Sequence, residues 1–348
     1  MHVLCYGAGA VGSLVAGRLS ETDAAVTVLA RRPHVAAIRT WGLTLETPSG
    51  RVVCKKVDSV VSLDDITAAP DLVLVTVKSY QTQEALAALT ALAKGGARIL
   101  SLQNGIGNEE TIAAAVGADR TLAGTLTISV SVVQPGVVRQ NPGSGGIAIA
   151  PVDPGALEST TNIVHLFQQA GFRTDLHRDY RAMKWSKLLL NMITNASSAI
   201  LDLSPRDIAR DPRLFHLERE AVLEAVRVVR GLGLRPVPLP GFPVPLLQSA
   251  MRAPEWVARA LLGGPIARSR GGKMPTLWVD LERGRRQSEV EVLNGAVARE
   301  GARLGIPTPV NVMLTDALLA LASGRRDRRD FHRNPDALLA LRGGIVPA

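Results

Sequence analysis

In KWSKLLLNMITN, residues 184–195, Lys187, Asn191 and Asn195 recur at i, i+4 and i+8 within a largely apolar run. On a helix that spacing sets all three on one face. An ammonium and two amides are unusual company for a packed face. Together they offer a proton, a positive charge and hydrogen-bonding groups for the oxygens of a polar ligand. The same spacing also suits a lysine that snorkels from the helix edge while the asparagines bridge neighbouring backbone. Lysine is scarce here, seven of 40 basic residues, and two of the seven, Lys78 and Lys187, occupy motif positions, which favours the chemical reading. Lys184 lies at a different angle of the helix and reads as a surface or hinge-side cation.

The elements that must position such residues start at the N-terminus. MHVLCY is a short apolar run that ends in Gly7-Ala8-Gly9-Ala10-Val11-Gly12, and SLVAGRLSET follows with helical spacing. Strand, G-x-G-x-x-G and helix in that order form the context of a dinucleotide-binding turn. The first glycine permits the tight turn, the second lets backbone approach a pyrophosphate, and the third lets helix pack on strand. The next strand, AAVTVLAR, carries Arg31 where NAD-binding versions carry an acid for the ribose 2′-hydroxyl. A guanidinium fits a 2′-phosphate, which points to NADPH; a solvated surface arginine is the plainer reading. DLVLVTVK is a continuous apolar strand, as in a parallel sheet covered on both faces, and Lys78 follows it at the carboxyl end, where ligands of such sheets gather. ARILSLQNGIGNEE repeats the plan, with Asn104-Gly105 as either a plain turn or a ligand contact. TISVSVVQPGVVRQ alternates like antiparallel strands, and GIAIAP is expected to close the sheet.

From about Asp179 the pattern is helical, with turns at LSPRD, RGLGLRP and RLGIPTP. The expected organisation is therefore a Rossmann-type α/β domain over residues 1–178 and an all-α domain over 179–348. Segment 236–275 is Pro-rich, then helical, then rich in Gly and Arg, and reads as a long excursion. Ser288-Glu289-Val290-Glu291 has capping-box form, so a helix is expected to start at Ser288, with Glu289 favoured by the helix dipole. Gly305 and Pro307 mark its end. The tail SGRRDRRDFHRNPD reads as a solvated charge run, and ALLALAS near residue 320 as core or interface.

Composition excludes several classes. The net charge of +9 comes from scattered, mostly Arg residues without interleaved aromatics, so nucleic acid is not the expected partner. No apolar run approaches the ~20 residues of a membrane span, and the N-terminus lacks signal-peptide layout. Two cysteines, Cys5 and Cys54, make neither a disulfide framework nor a metal cluster, and point to a cytoplasmic protein. The histidines have no metal-ligand spacing, HRD at 177–179 lacks its kinase companions, and no G-x-S-x-G appears.

Read in order, GAGAVGS, VTVKSYQT, LQNGIGNEE, KWSKLLLNMITN and DLERGRR followed by SEVEVLNGAV resemble the ketopantoate reductase (2-dehydropantoate 2-reductase) family over nearly the whole chain. The resemblance implies an NADPH-binding Rossmann domain joined to a helical domain resembling the C-terminal domain of 6-phosphogluconate dehydrogenase. It implies an active site in the cleft between them and reduction of 2-dehydropantoate to (R)-pantoate for pantothenate and coenzyme A synthesis. It assigns the essential lysine to Lys187 and substrate-binding asparagines to Asn191 and Asn195. Cofactor contacts fall on Gly7, Ala8, Gly9, Ala10, Val11, Gly12, Arg31, Lys78, Asn104, Glu289 and, through backbone, Val130; Asn104 also lies near substrate. Homodimers through the helical domain are common in the family.

On this resemblance, hydride delivery to a ketone leaves an alkoxide, for which a lysine in a dry cleft supplies both proton and charge. Burial is expected to lower the Lys187 pKa, while Asn191 and Asn195 hold substrate oxygens. The family's substrate-contacting serine is Thr276 here. One residue is added between Asp280 and Glu289, and a further asparagine expected about ten residues past Asn195 is replaced within LSPRD. These departures, with the long excursion, leave open a reductase of another 2-oxo acid. A dinucleotide-binding sensor without catalysis is a third reading, against which the intact Lys187–Asn191–Asn195 face argues.

Overall fold

In the computed structural model, which describes residues 1–268 and 273–344, the opening apolar run is strand β1 (His2–Tyr6), followed by helix α1 (Ala10–Leu19). β2 (Ala25–Leu29), α2 (Arg32–Trp41), β3 (Leu43–Thr47), β4 (Gly50–Cys54), β5 (Val57–Val60), β6 (Leu72–Val75) and α3 (Thr82–Lys94) continue the alternation. Next come β7 (Arg98–Ser101), α4 (Asn108–Val116), β8 (Thr121–Leu126), β9 (Val130–Gln134), β10 (Val137–Gln140), β11 (Ile147–Pro151), α5 (Leu157–Gln169) and β12 (Thr174–Leu176). The chain divides into two compact units. The first holds residues 1–103, 107–184 and 239–242; the second holds 104–106, 185–238 and the described residues from 243 onward.

The first unit is Rossmann-like. Its main sheet has the order β12-β11-β8-β7-β6-β1-β2-β5, parallel from β8 through β5. The period of two along each strand feeds two cores. Val3, Cys5, Leu72 and Leu74 join Leu14, Val15, Leu19, Ile163 and Phe167 of α1 and α5 on one face. Leu4, Val73 and Val75 join Ala85, Leu89 and Ile112 of α3 and α4 on the other. Burying each large aliphatic side chain contributes about 1.5–3 kcal/mol, which is why β6 carries no polar residue.

Of the expectations about residues 127–151, the antiparallel strands hold and the closing of the sheet by GIAIAP needs correction. The β9–β10 hairpin is antiparallel as its alternation suggests, but it belongs to a second sheet, β4-β3-β10-β9, in which β10 runs parallel to β3. That sheet covers α1, where Gly17 admits Leu45: a Cβ on Gly17 would lie 2.9 Å from Leu45 Cδ1. GIAIAP forms β11, antiparallel to β8, but does not close the main sheet, because β12 pairs parallel outside it.

The second unit is helical. It contains most of α6 (Tyr180–Met192), then α7 (Asn195–Leu201), α8 (Pro205–Arg210), α9 (Pro212–Gly231), α10 (Val244–Arg252) and α11 (Glu255–Arg268). After these come α12 (Thr276–Glu282), α13 (Asn294–Leu304), α14 (Pro309–Ala322) and α15 (Pro335–Ala340). The 20-residue α9 buries Leu214, Phe215, Leu217, Val222, Val226 and Val229. Its buried Glu224 accepts from the Val310 and Asn311 amides, both at 3.0 Å, so a carboxylate sits at the amino end of α14. Ala317, Leu318 and Leu321 of α14 are buried, which places the inward face of the ALLALAS stretch in the core.

The expected helix start at Ser288 is also corrected. Residues 289–292 form a 3-10 turn capped by Ser288 Oγ, and the α-helix begins only at Asn294, ending on left-handed Gly305. Within 236–275, Val244, Met251, Ala258 and Ile266 are buried while Trp256 is 76% exposed; residues 269–272 of that segment lie outside the described residues. The tail is mostly exposed but anchored by buried Phe331, over which Arg326 stacks at 5.6 Å. Among the described residues no helix is long and apolar enough to cross a membrane.

Candidate functional site

The carboxyl ends of β2, β1 and β6 carry Arg31, the glycine turn and Lys78. Successive strands are laid to opposite sides at the β1/β6 junction, the place where open α/β sheets bind ligands. Gly7 has φ +104°, and a Cβ there would lie 2.6 Å from Val77 Cγ1. At Gly12 a Cβ would lie 2.5 Å from both Gly7 O and Thr76 Oγ1, so that position closes the turn against the sheet. Gly9, the N-cap of α1, faces open space: nothing lies within 4 Å of the Cβ it lacks. The amides of Ala10, Val11 and Gly12 lie in the first turn of α1, where helix geometry gives them no intrahelical acceptor. No acidic residue occupies that turn. A closed turn, an open second glycine and free amides fit the phosphates of a dinucleotide.

Arg31 is exposed and is the N-cap of α2, whose first turn also lacks an acid. Lys78 is half-buried three residues past β6, as N-cap of the 3-10 turn Ser79–Gln81. Val130 opens β9 opposite Gln140.

The helical unit gathers the remaining residues. Lys187 and Asn191 lie one turn apart on α6, both half-buried. Asn191 Nδ2 donates to Asn104 Oδ1 at 2.9 Å. The segment carrying Asn104 is fixed from below: Gly105, at φ +89°, packs so tightly on Val292 that a Cβ would collide, and Ile106 N donates to Val292 O at 3.0 Å. The same 3-10 turn carries buried Glu289.

Asn195 departs from the single helical face expected of residues 184–195. The helix breaks after Met192, Thr194 adopts left-handed φ 57°, and Asn195 begins α7. Its side chain is 2% exposed and engaged at both ends, donating to Asn191 O at 3.1 Å and accepting from Leu277 N at 3.3 Å. It thereby holds the amino end of α12, whose first residue, exposed Thr276, is the neighbour of Leu277. The break has a cause in α9. Buried Glu218 accepts from Ser197 Oγ and, at 2.6 Å, from Thr194 N, an amide that a continuous helix would have paired. Where a further asparagine was expected, Ser204 and Asp207 instead form the capping box of α8.

Sequence reasoning placed Lys184 wrongly. It is 3% exposed, pairs with Glu109 at 2.8 Å, and donates to Gln103 O at 2.6 Å. Burial raises the Glu109 pKa, and the Lys184 ammonium opposes that rise. Lys184 thereby ties the early part of α6 to Glu109 of α4 and to the residue preceding Asn104. A lysine amid MKWSK and the acidic pair in GNEE carried the only signal, and nothing local shows that they meet.

Residues 3–154 match the family model described as ketopantoate reductase PanE/ApbA, and residues 179–322 match its C-terminal counterpart. A 2-dehydropantoate 2-reductase of Halobacterium salinarum is 32% identical over 318 residues, 91% of this chain and 97% of that one. The crystal structure of a PanE/ApbA family ketopantoate reductase from Ralstonia eutropha superposes with TM-score 0.78 at 30% identity, covering 94% of this chain and all of that one. A D-mandelate dehydrogenase solved with NADH and anilino(oxo)acetate shares the fold, with TM-score 0.79 at 21% identity over 93% and 99% of the two chains.

Proposed function

Since the chain belongs to the ketopantoate reductase family, a family of oxidoreductases, we propose that it reduces 2-dehydropantoate to (R)-pantoate with NADPH. The observation that carries this reading is the grouping of Lys187, Asn191 and Asn104 around the 2.9 Å Asn191–Asn104 hydrogen bond. A bound nicotinamide dinucleotide supplies the hydride. When the ketone carbon accepts it, the C=O π pair moves to oxygen, and Lys187 Nζ donates the proton that completes the alcohol. The ammonium also compensates the negative charge as it develops.

Asn191 and Asn104 orient substrate oxygens, and Thr276 Oγ1 adds a hydroxyl contact. Asn195, engaged at both ends, acts chiefly by holding Asn191 and α12 in place. On the cofactor side, the amides of Ala10, Val11 and Gly12 would take the pyrophosphate, since those of Gly7, Ala8 and Gly9 already donate to Leu29 O and Gly7 O; Arg31 would take the 2′-phosphate, with Lys78, Val130 and Glu289 completing the contacts. The proposed cofactor domain is residues 1–178 and the proposed substrate domain 179–348, and the cytoplasm is the proposed compartment.

A second reading, reduction of a different 2-oxo acid, is favoured by the Ser204–Asp207 capping box, which replaces an asparagine with groups that satisfy each other. The deciding assay follows NADPH oxidation with 2-dehydropantoate beside a panel of 2-oxo acids, with NADH in parallel. Selective turnover of 2-dehydropantoate is expected, with NADPH preferred. Faster turnover of another 2-oxo acid would establish the second reading, and no turnover despite tight NADPH binding would sink both.

A further inference from the structure

His34 lies in the first turn of α2, 9% exposed, and both of its ring nitrogens are engaged. The Gly136 amide donates to Nδ1 at 3.0 Å, and Nε2 lies 3.0 Å from Ser13 Oγ. A backbone N–H can only donate, so Nδ1 is the acceptor and the neutral ring carries its proton on Nε2. Nε2–H therefore donates to Ser13 Oγ, and the Ser13 proton goes to the Ala8 carbonyl at 3.3 Å. Every proton in the chain has a fixed direction, from the turn of the β9–β10 hairpin, through α2 and buried Ser13, to the second residue of the glycine turn.

Protonation of the ring would set two N–H donors, Nδ1–H and Gly136 N–H, against each other. Burial lowers the His34 pKa, which keeps the ring neutral. The groups that face it, Ser13 from α1 and the Gly136 amide from the hairpin, are uncharged. On α2 the neighbouring charges are exposed Arg31 and Arg32, and β5 and β3, which also pack on α2, contribute the titratable groups Asp58 and Glu46.

We propose that His34 is a positioning residue for the dinucleotide turn: its neutral, Nε2-protonated ring holds the Ala8 carbonyl through Ser13 and couples the turn to the hairpin that begins at Val130. Cofactor affinity then depends on His34 although its ring is built into the protein interior. The proposal rests on the dinucleotide part of the function above and is independent of which 2-oxo acid is reduced.

The test is titration of wild type, His34→Ala and His34→Gln with NADPH, followed by nicotinamide fluorescence at about pH 8 and about pH 5, the lower value lying well below the ordinary histidine pKa of about 6.5 because burial lowers that of His34. His34→Ala is expected to weaken binding roughly five- to tenfold at the higher pH. His34→Gln, whose amide keeps a donor for Ser13, is expected to restore most of it. Wild type should lose more affinity on acidification than His34→Gln; titration of the NADPH 2′-phosphate is common to both and cancels in that comparison. Wild-type affinity in His34→Ala at both pH values would overturn the proposal. So would ¹⁵N shifts of the wild-type ring showing the Nδ1–H tautomer, a readout that holds even if His34→Ala does not fold. Failure of wild type to bind either NADPH or NADH would sink the dinucleotide reading, and this proposal with it; if only NADH binds, the same comparison is made with NADH.

Discussion

Around Gly7–Gly12 the Rossmann-like unit presents backbone, whereas around Lys187 the helical unit presents side chains that also hold one another. In the glycine turn the useful feature is what is missing: no Cβ at Gly9, no acid in the first turn of α1, no intrahelical acceptors for three amides. In the helical unit the amides are already spoken for, Asn191 by Asn104 and Asn195 by Asn191 O and Leu277 N. The difference teaches where substitutions will act. A change in the first region alters access for a ligand; in the second it leaves a protein partner unpaired, so binding, catalysis and stability are entangled.

Removal of Lys187 should give the largest effect on catalysis. Lys187→Ala is expected to lower kcat by about 10²–10⁴-fold, the range of a lost general acid, while NADPH still binds to the other unit. Stopped-flow hydride transfer beside an NADPH titration checks this, and near-normal turnover would break the mechanism. Lys184, three residues earlier, should behave in the opposite way. Lys184→Met strands the Glu109 carboxylate in the interior and is expected to cost about 3–5 kcal/mol of stability, measured by urea unfolding. The double change Lys184→Met with Glu109→Leu removes both charges and should recover most of it. If Lys184→Met unfolds like wild type, the pair does not anchor α6.

These two lysines also mark how far the sequence is legible. The shared face of Lys187 and Asn191 was readable because four-residue spacing is local to one helix, and the glycine turn because conformation and sequence coincide over six residues. The parallel sheet followed from apolar runs such as LVLV. Lys184 was not readable, because its partner is 75 residues away and a basic residue's angle on a helix does not reveal a buried acceptor. The break at Thr194 escaped for the same reason: Glu218, which stabilises it, belongs to another helix and carries no local signal. The second sheet was hidden because β3 and β4 are separated from β9 and β10 by more than 70 residues. Local periodicity reports faces; it does not report which distant face supplies the partner.

Thr276 offers the smallest and most discriminating change. It is exposed at the first position of α12, and that helix end is fixed by the bond from Leu277 N to Asn195 Oδ1 rather than by the threonine itself. Thr276→Ser should therefore leave stability within about 0.5 kcal/mol of wild type, as for other exposed positions. The hydroxyl is kept and one methyl group is removed. A methylene-sized difference in a pocket changes discrimination by at most about 1–3 kcal/mol, and an exposed position should deliver the lower end. KM for 2-dehydropantoate is expected to fall by roughly twofold to fivefold with kcat little changed, because a methyl that crowds the substrate acts on binding and not on the proton held by Lys187. A rise in KM for 2-dehydropantoate, paired with a fall for a bulkier or differently branched 2-oxo acid, would mean that the methyl is a contact and not an obstruction. The helical unit would then be shaped for that other acid while its lysine chemistry stays the same.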